Sequence, residues 1–102
     1  MRILIVGGGV VGSTLAQALL TEDHEVTIIE SSAAVVQELS ERLDVFVLRG
    51  DGGSLRLLED AGLKEATLVV AVTDSDYLNM FICLLAGSLG VRQKVARVRS
   101  EE

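Results

Sequence analysis

The sequence predicts an α/β fold, a doubly wound parallel sheet of five strands in the order 3-2-1-4-5 with helices on both faces. Three observations lead there. Short unbroken aliphatic runs, such as residues 3–6 and 67–72, have the look of parallel strands covered on both faces. Segments with apolar residues at helical spacing alternate with those runs and are joined by short loops, which calls for right-handed crossovers. Hydrophobic residues make up 49% of the chain and aromatic residues only 3%, so the core must be aliphatic, as in Val/Ile sheets flanked by Leu/Ala helices.

The first strand, residues 3–6, runs directly into Gly7-x-Gly9-x-x-Gly12. In this string Gly7 permits a sharp turn, Gly9 leaves room for a pyrophosphate beside the backbone, and Gly12 lets the next helix approach the strand. That helix is expected over residues 9–21, with Val11, Leu15, Ala18 and Leu19 on its apolar side, and it ends in the turn Glu22-Asp23-His24. The second strand follows at residues 25–29. Ser31 or Ser32 caps a second helix carrying Val35, Val36, Leu39 and Leu43 at helical spacing. Strand three, residues 45–48, stops at Gly50-Asp51-Gly52-Gly53. Ser54 then caps a short helix with Leu55, Leu58 and Ala61 on one side and Gly62 as its stop. Strand four is residues 67–72. Asp74 or Ser75 starts a fourth helix, apolar nearly all round from residue 77 to 89, and Gly90 stops it. The last strand is residues 94–98.

A chain of 102 residues makes one domain with a single core. Its formal charge of −6 argues against nucleic acid, which needs a clustered basic surface. One cysteine and no Cys/His cluster exclude a disulfide framework and a structural zinc site, and point to a reducing cytoplasm. The longest apolar run, about residues 80–86, falls far short of the ~20 residues that span a bilayer, so any membrane connection runs through a partner.

In a doubly wound sheet, ligands sit outside the carboxyl ends of the strands, near the switch point between strands one and four. Gly7, Glu30, Asp51, Thr73, Asp74 and Arg99 fall on that edge; His24 falls on the opposite one. The N-terminus of the first helix supplies N–H groups and a partial positive charge for an anion. Glu30, eighteen residues after Gly12, is placed to accept hydrogen bonds from adenosine ribose hydroxyls and to repel a 2′-phosphate, which favours NAD(H) or another adenosine ligand over NADP(H). Asp51 either flanks the adenine or makes an Asx turn. Thr73 and Asp74 are expected to cap the fourth helix, with a ligand contact by Thr73 in addition. Arg97 and Arg99 project to one face by strand alternation, where they either meet a phosphate or an acidic partner or keep the edge strand from pairing with another edge. Cys83 reads as core packing. No catalytic constellation is completed by the remaining His, Ser or Lys residues, so no catalytic residue is expected. The excess apolar surface of the fourth helix suits an oligomer contact, or burial beneath a further C-terminal segment.

With these pieces placed, the sequence resembles the N-terminal domain of TrkA-type proteins, the regulator of potassium conductance (RCK) group. The resemblance covers the whole chain. It rests on the opening Met-Arg-Ile-Leu-Ile-Val-Gly-Gly-Gly-Val-Val-Gly, on Glu30 and on Arg-Gly-Asp-Gly-Gly-Ser from Arg49. It rests further on Ala-Val-Thr-Asp-Ser-Asp-Tyr-Leu-Asn-Met from Ala71, and on Lys-Val-Ala-Arg-Val-Arg-Ser from Lys94. The resemblance implies a Rossmann-like, cytoplasmic regulatory subunit that binds NAD(H) or ADP/ATP, forms homodimers within larger assemblies and gates a potassium-translocating membrane subunit. It implies that the segment from Thr73 and Asp74 to Asn79 lines the pocket, with Gly50 and Asp51 near the adenine. Val10 and Val11 lie in the glycine loop where some members carry a basic residue, a departure that weighs against tight, charge-assisted binding of a terminal phosphate. Such domains usually continue with another helix and strand, so the end at Ser100-Glu-Glu reads as a truncation or a separately encoded half. The alternative reading is the cofactor-binding half of an NAD-dependent oxidoreductase.

Overall fold

The structure is a computed structural model that describes residues 1–99. Five parallel strands, β1 (Arg2–Val6), β2 (Glu25–Glu30), β3 (Phe46–Arg49), β4 (Leu68–Ala71) and β5 (Gln93–Ala96), form one sheet in the order β3-β2-β1-β4-β5. They alternate with four helices, α1 (Val10–Leu20), α2 (Ala33–Arg42), α3 (Leu55–Asp60) and α4 (Asp76–Ser88). The expected architecture and strand order are therefore present. A 3-10 turn at Leu63–Glu65, which the sequence pattern did not suggest, joins α3 to β4 behind Gly62.

Strand β1 is central because its aliphatic run serves two cores at once. Leu4 and Val6 point into the layer that holds Ile29, Val69, Ile82 and Ala86, while Ile3 and Ile5 point into the layer with Ala16, Val26, Ile28 and Leu39. Successive side chains in a strand face opposite ways, so an unbroken apolar run is what a sheet covered on both sides demands. Burial of each such side chain contributes roughly 1.5–3 kcal/mol of transfer free energy. Helices α1 and α2 cover one face of the sheet, and α3 and α4 the other. The change of face after β3 makes the β1–β4 junction the switch point.

Three serines begin helices by accepting an N–H at the third helical position: Ser32 from Val35, Ser54 from Leu57 and Ser75 from Leu78. Thus Ser32 caps α2 and Ser75 caps α4; neither Thr73 nor Asp74 is the cap. Helix α1 has Gly9 at its cap position and no side-chain cap.

Several expected faces are rotated. In α1 the buried positions are Gly12, Ser13 and Ala16, while Val11 and Ala18 are exposed. The contact of Gly12 with the β1 turn sets the face, and Ala16, one turn later, follows it. In α3 Leu57 and Leu58 pack on the core and Leu55 is 60% exposed, so the buried face is set by Leu57 and Leu58. Strand β5 ends at Ala96, two residues short of the expected end, because the Arg99 N–H turns to the Asp76 carboxylate at 3.1 Å instead of continuing the ladder. Ser100, last of the basic-strand motif, lies outside the described residues. Among the described residues no helix is long and apolar enough to cross a membrane.

Candidate functional site

A cavity of about 570 Å³ opens at the carboxyl ends of the strands, over the switch point. Its floor is the glycine loop. Gly7 adopts φ +108° and its N–H bonds Ile29 O at 2.8 Å; a Cβ there would lie 2.8 Å from Val72 O. Gly12 does not line the cavity. It brings α1 so close to the turn that a Cβ would stand 1.8 Å from Gly7 O, which accounts for the third glycine of the string. Gly9 differs from both, since its Cβ position has nothing within 4 Å and the residue borders the cavity. Val10 and Val11 line the cavity too, with Val10 84% exposed. With no side-chain cap on α1 and no acidic residue in its first turn, the first N–H groups of the helix stand ready for an anion.

Glu30 ends β2 and borders the same space. Its Oε1 accepts the Gly8 N–H and its Oε2 accepts the Ser32 N–H, both at 2.7 Å. These two bonds fix the carboxylate between the glycine loop and the start of α2, and each oxygen keeps a lone pair for a further donor. Gly8, absent from the three-glycine string, is therefore part of the site. A Cβ on it would meet Leu39 Cδ1 at 2.6 Å. The signal was the run of three consecutive glycines, one more than the turn and the close approach need.

Of the two readings of Asp51, the structure shows the turn. Its Oδ1 accepts the Gly53 N–H at 2.8 Å in an Asx turn, and the residue lines the cavity beside Gly50 and Gly52. Thr73 and Asp74, just beyond β4, line the opposite side together with Arg97.

Asn79 is not in the lining. It is fully buried, and its side-chain amide is saturated. Oδ1 accepts the Thr73 N–H at 2.9 Å and the Thr73 hydroxyl at 2.7 Å; Nδ2 donates to Thr73 O at 3.1 Å and to Arg97 O at 2.9 Å. All four hydrogen-bonding places of the amide are taken, so Asn79 acts on the cavity by holding Thr73 and Arg97. Arg99, expected on the same face as Arg97, turns to the loop before α4 instead, its Nη2 donating to Asp74 O at 2.9 Å. The expected shared face fails because the strand alternation stops at Ala96. His24 lies at the other edge, with Nδ1 3.3 Å from the terminal amine of Met1. Cys83 packs half-buried against the α4 core layer, and burial pushes its thiol pKa up, against the opposing pull of the Lys94 ammonium.

The cavity thus offers an open helix N-terminus at its centre, carboxylates on the β2–β3 side and a threonine, an aspartate and a guanidinium on the β4–β5 side. That set suits an elongated polar ligand with an anion in its middle.

The sequence matches the TrkA-N domain family over residues 3–102. It is 40% identical over 103 residues to a protein named Trk system potassium uptake protein TrkA from Haemophilus influenzae, covering all of this chain and 22% of that one. The fold is similar to that of the TrkA-N domain of the inner membrane protein ybaL from Escherichia coli, with a TM-score of 0.81 and 29% identity over 92% of this chain and 69% of that one. It is also similar to the Shewanella denitrificans Kef CTD in its AMP-bound form, with a TM-score of 0.77 and 26% identity over 93% and 57% of the two chains.

Proposed function

Since the chain belongs to the TrkA-N domain family, we propose that it is a nucleotide-sensing regulatory domain of a potassium uptake system, binding NAD(H), or else ADP or ATP, in the cavity over the switch point. The observation that carries this reading is the Glu30 carboxylate, fixed by two backbone N–H groups beside the uncapped N-terminus of α1. An adenosine ribose donates its hydroxyls to Glu30, the first phosphate lies over Gly9, Val10 and Val11, and the adenine lies toward Gly50 and Asp51. Thr73 and Asp74 receive the distal part. No side chain of the lining is assigned a catalytic role. The AMP bound by the Shewanella protein supports the ligand class, and the name of the Haemophilus relative supports the transport system.

Regulation would act by population shift. A bound nucleotide favours one arrangement of paired domains, and a potassium-translocating membrane subunit responds to the difference; a ligand that binds both arrangements equally regulates nothing. The exposed apolar stripe of α4, formed by Tyr77, Met80, Phe81 and Leu84, supports contact with a second copy. The domain would then sit at the cytoplasmic side of the membrane through that partner.

Calorimetric titration with NADH, NAD+, ADP, ATP and NADPH tests the reading. Micromolar binding of the first four with NADPH excluded is the expected result, because Glu30 repels a 2′-phosphate. Glu30→Ala, checked by circular dichroism, should cost about tenfold or more in affinity, the worth of one charge-assisted hydrogen bond. Unchanged affinity in that variant removes the cavity assignment.

A further inference from the structure

The cavity carries its charges unevenly. Glu30, Asp51 and Asp74 bring carboxylates to it, and among the described residues Arg97 is the only basic one that lines it. The glycine loop contributes no cation, since Val10 and Val11 occupy its variable positions. A ligand phosphate is itself anionic, and beyond the end of α1 it is Arg97 that is there to balance it.

Arg97 is built to serve in that place. Its backbone is fixed at both ends, the N–H donating to Ala71 O at 2.9 Å and the carbonyl accepting from Asn79 Nδ2 at 2.9 Å. Its half-buried side chain has neither a hydrogen bond nor an ion pair among the described residues. A guanidinium placed on the edge of a cavity, without a partner, has its donors free for a ligand. The sheet order fixes where on the ligand they reach. Glu30 ends β2 and Arg97 follows β5, three strand spacings away, or about 14 Å. The N-terminus of α1, above β1, lies between them. A nucleotide with its ribose at Glu30 and its first phosphate at α1 points its remaining length at Arg97.

Resting on the nucleotide reading, we infer that Arg97 is the specificity-determining residue for phosphate beyond the first, the group that separates adenosine di- and triphosphate from the monophosphate. The glycine loop and Glu30 hold what all these ligands share. Arg97 holds what distinguishes them, and Asn79 keeps it in place.

The test compares AMP and ATP in magnesium-free buffer, by calorimetry, on the unmodified protein, Arg97→Gln and Arg97→Lys, with thermal melts to verify folding. The backbone bonds of Arg97 survive either substitution. The expected result is an Arg97→Gln variant that loses roughly tenfold in ATP affinity, with AMP changed by less than about twofold, and an Arg97→Lys variant that recovers most of the loss. If Arg97→Gln binds ATP as well as the unmodified protein, or loses AMP and ATP alike, the assignment is overturned while nucleotide binding stands. Failure of the unmodified protein to bind AMP, ATP and NADH alike overturns both readings.

Discussion

The two sides of the cavity reach their shape by opposite means. On the β1–β2 side the geometry comes from missing side chains. Gly7, Gly8 and Gly12 leave room that a Cβ would fill, and the one functional side chain, Glu30, is held by backbone N–H groups. On the β4–β5 side the geometry comes from a side chain, the buried amide of Asn79, which ties the loop after β4 to the residue after β5. A backbone-built site cannot relax when it is crowded. A site built around one amide loosens when the amide is removed, because the part-buried Thr73 N–H and the Thr73 and Arg97 carbonyls lose their partner.

The largest effect expected from this contrast is at Gly12. A methyl group there stands 1.8 Å from the Gly7 carbonyl oxygen, backbone against backbone, so Gly12→Ala must displace α1 or open the turn. We expect a loss of upward of about 4 kcal/mol, read as a lowered urea midpoint. Gly9→Ala, in the same loop, meets nothing within 4 Å and should leave the unfolding free energy within about 0.5 kcal/mol while weakening nucleotide binding. Equal midpoints for the two variants would break the distinction between the packing glycine and the ligand glycine.

Next in size is Asn79→Ala. It strands the Thr73 N–H, the Thr73 carbonyl and the Arg97 carbonyl, and opens a small void, for which we expect about 3 kcal/mol. Ligands that depend on Arg97 should suffer more than AMP, which is read by the other side. A uniform loss for every nucleotide would show that the two sides are not independent.

The same contrast explains what could be read from the sequence. Glycines announce the backbone-built side because Gly7 and Gly12 stand where a side chain will not fit, and spacing alone carries that signal; β1, the loop and Glu30 were legible to within a residue. The β4–β5 side depends on where β5 stops, which is decided by a hydrogen bond from the Arg99 N–H to Asp76, twenty-three residues away. Strand alternation therefore paired Arg97 with Arg99, although only Arg97 reaches the cavity. Asn79 came only with the family resemblance, as the end of a segment expected to line the pocket. Its direction was not legible, because a saturated buried amide and a ligand-facing one look alike in a string of letters. Exposed Leu55 and Ala18 were misplaced for a related reason. Helical spacing gives the period of a face, whereas its phase depends on the contact point, which for α1 is Gly12.

The smallest expected effect uses Cys83, one helical turn after Asn79 on α4, as a reporter of the β4–β5 side. Burial raises its thiol pKa in the folded protein above the unfolded value, and Lys94 offsets part of this. A raised folded pKa means that folding favours the protonated thiol. That contribution is complete below the unfolded pKa and is lost as pH rises through the folded one, so stability should fall slightly toward alkaline pH in the unmodified protein and less so in Cys83→Ala. Thiolate is the reactive form, and alkylation of Cys83 at mildly alkaline pH should accordingly be slower than that of a free cysteine. In Asn79→Ala the rate should rise toward the free value as α4 loosens from β4 and β5, whereas Gly9→Ala should leave it unchanged. An Asn79→Ala protein with the unmodified alkylation rate would mean that the amide fixes only the loop ends and leaves the seating of α4 to Ile82 and Ala86, both fully buried beneath it.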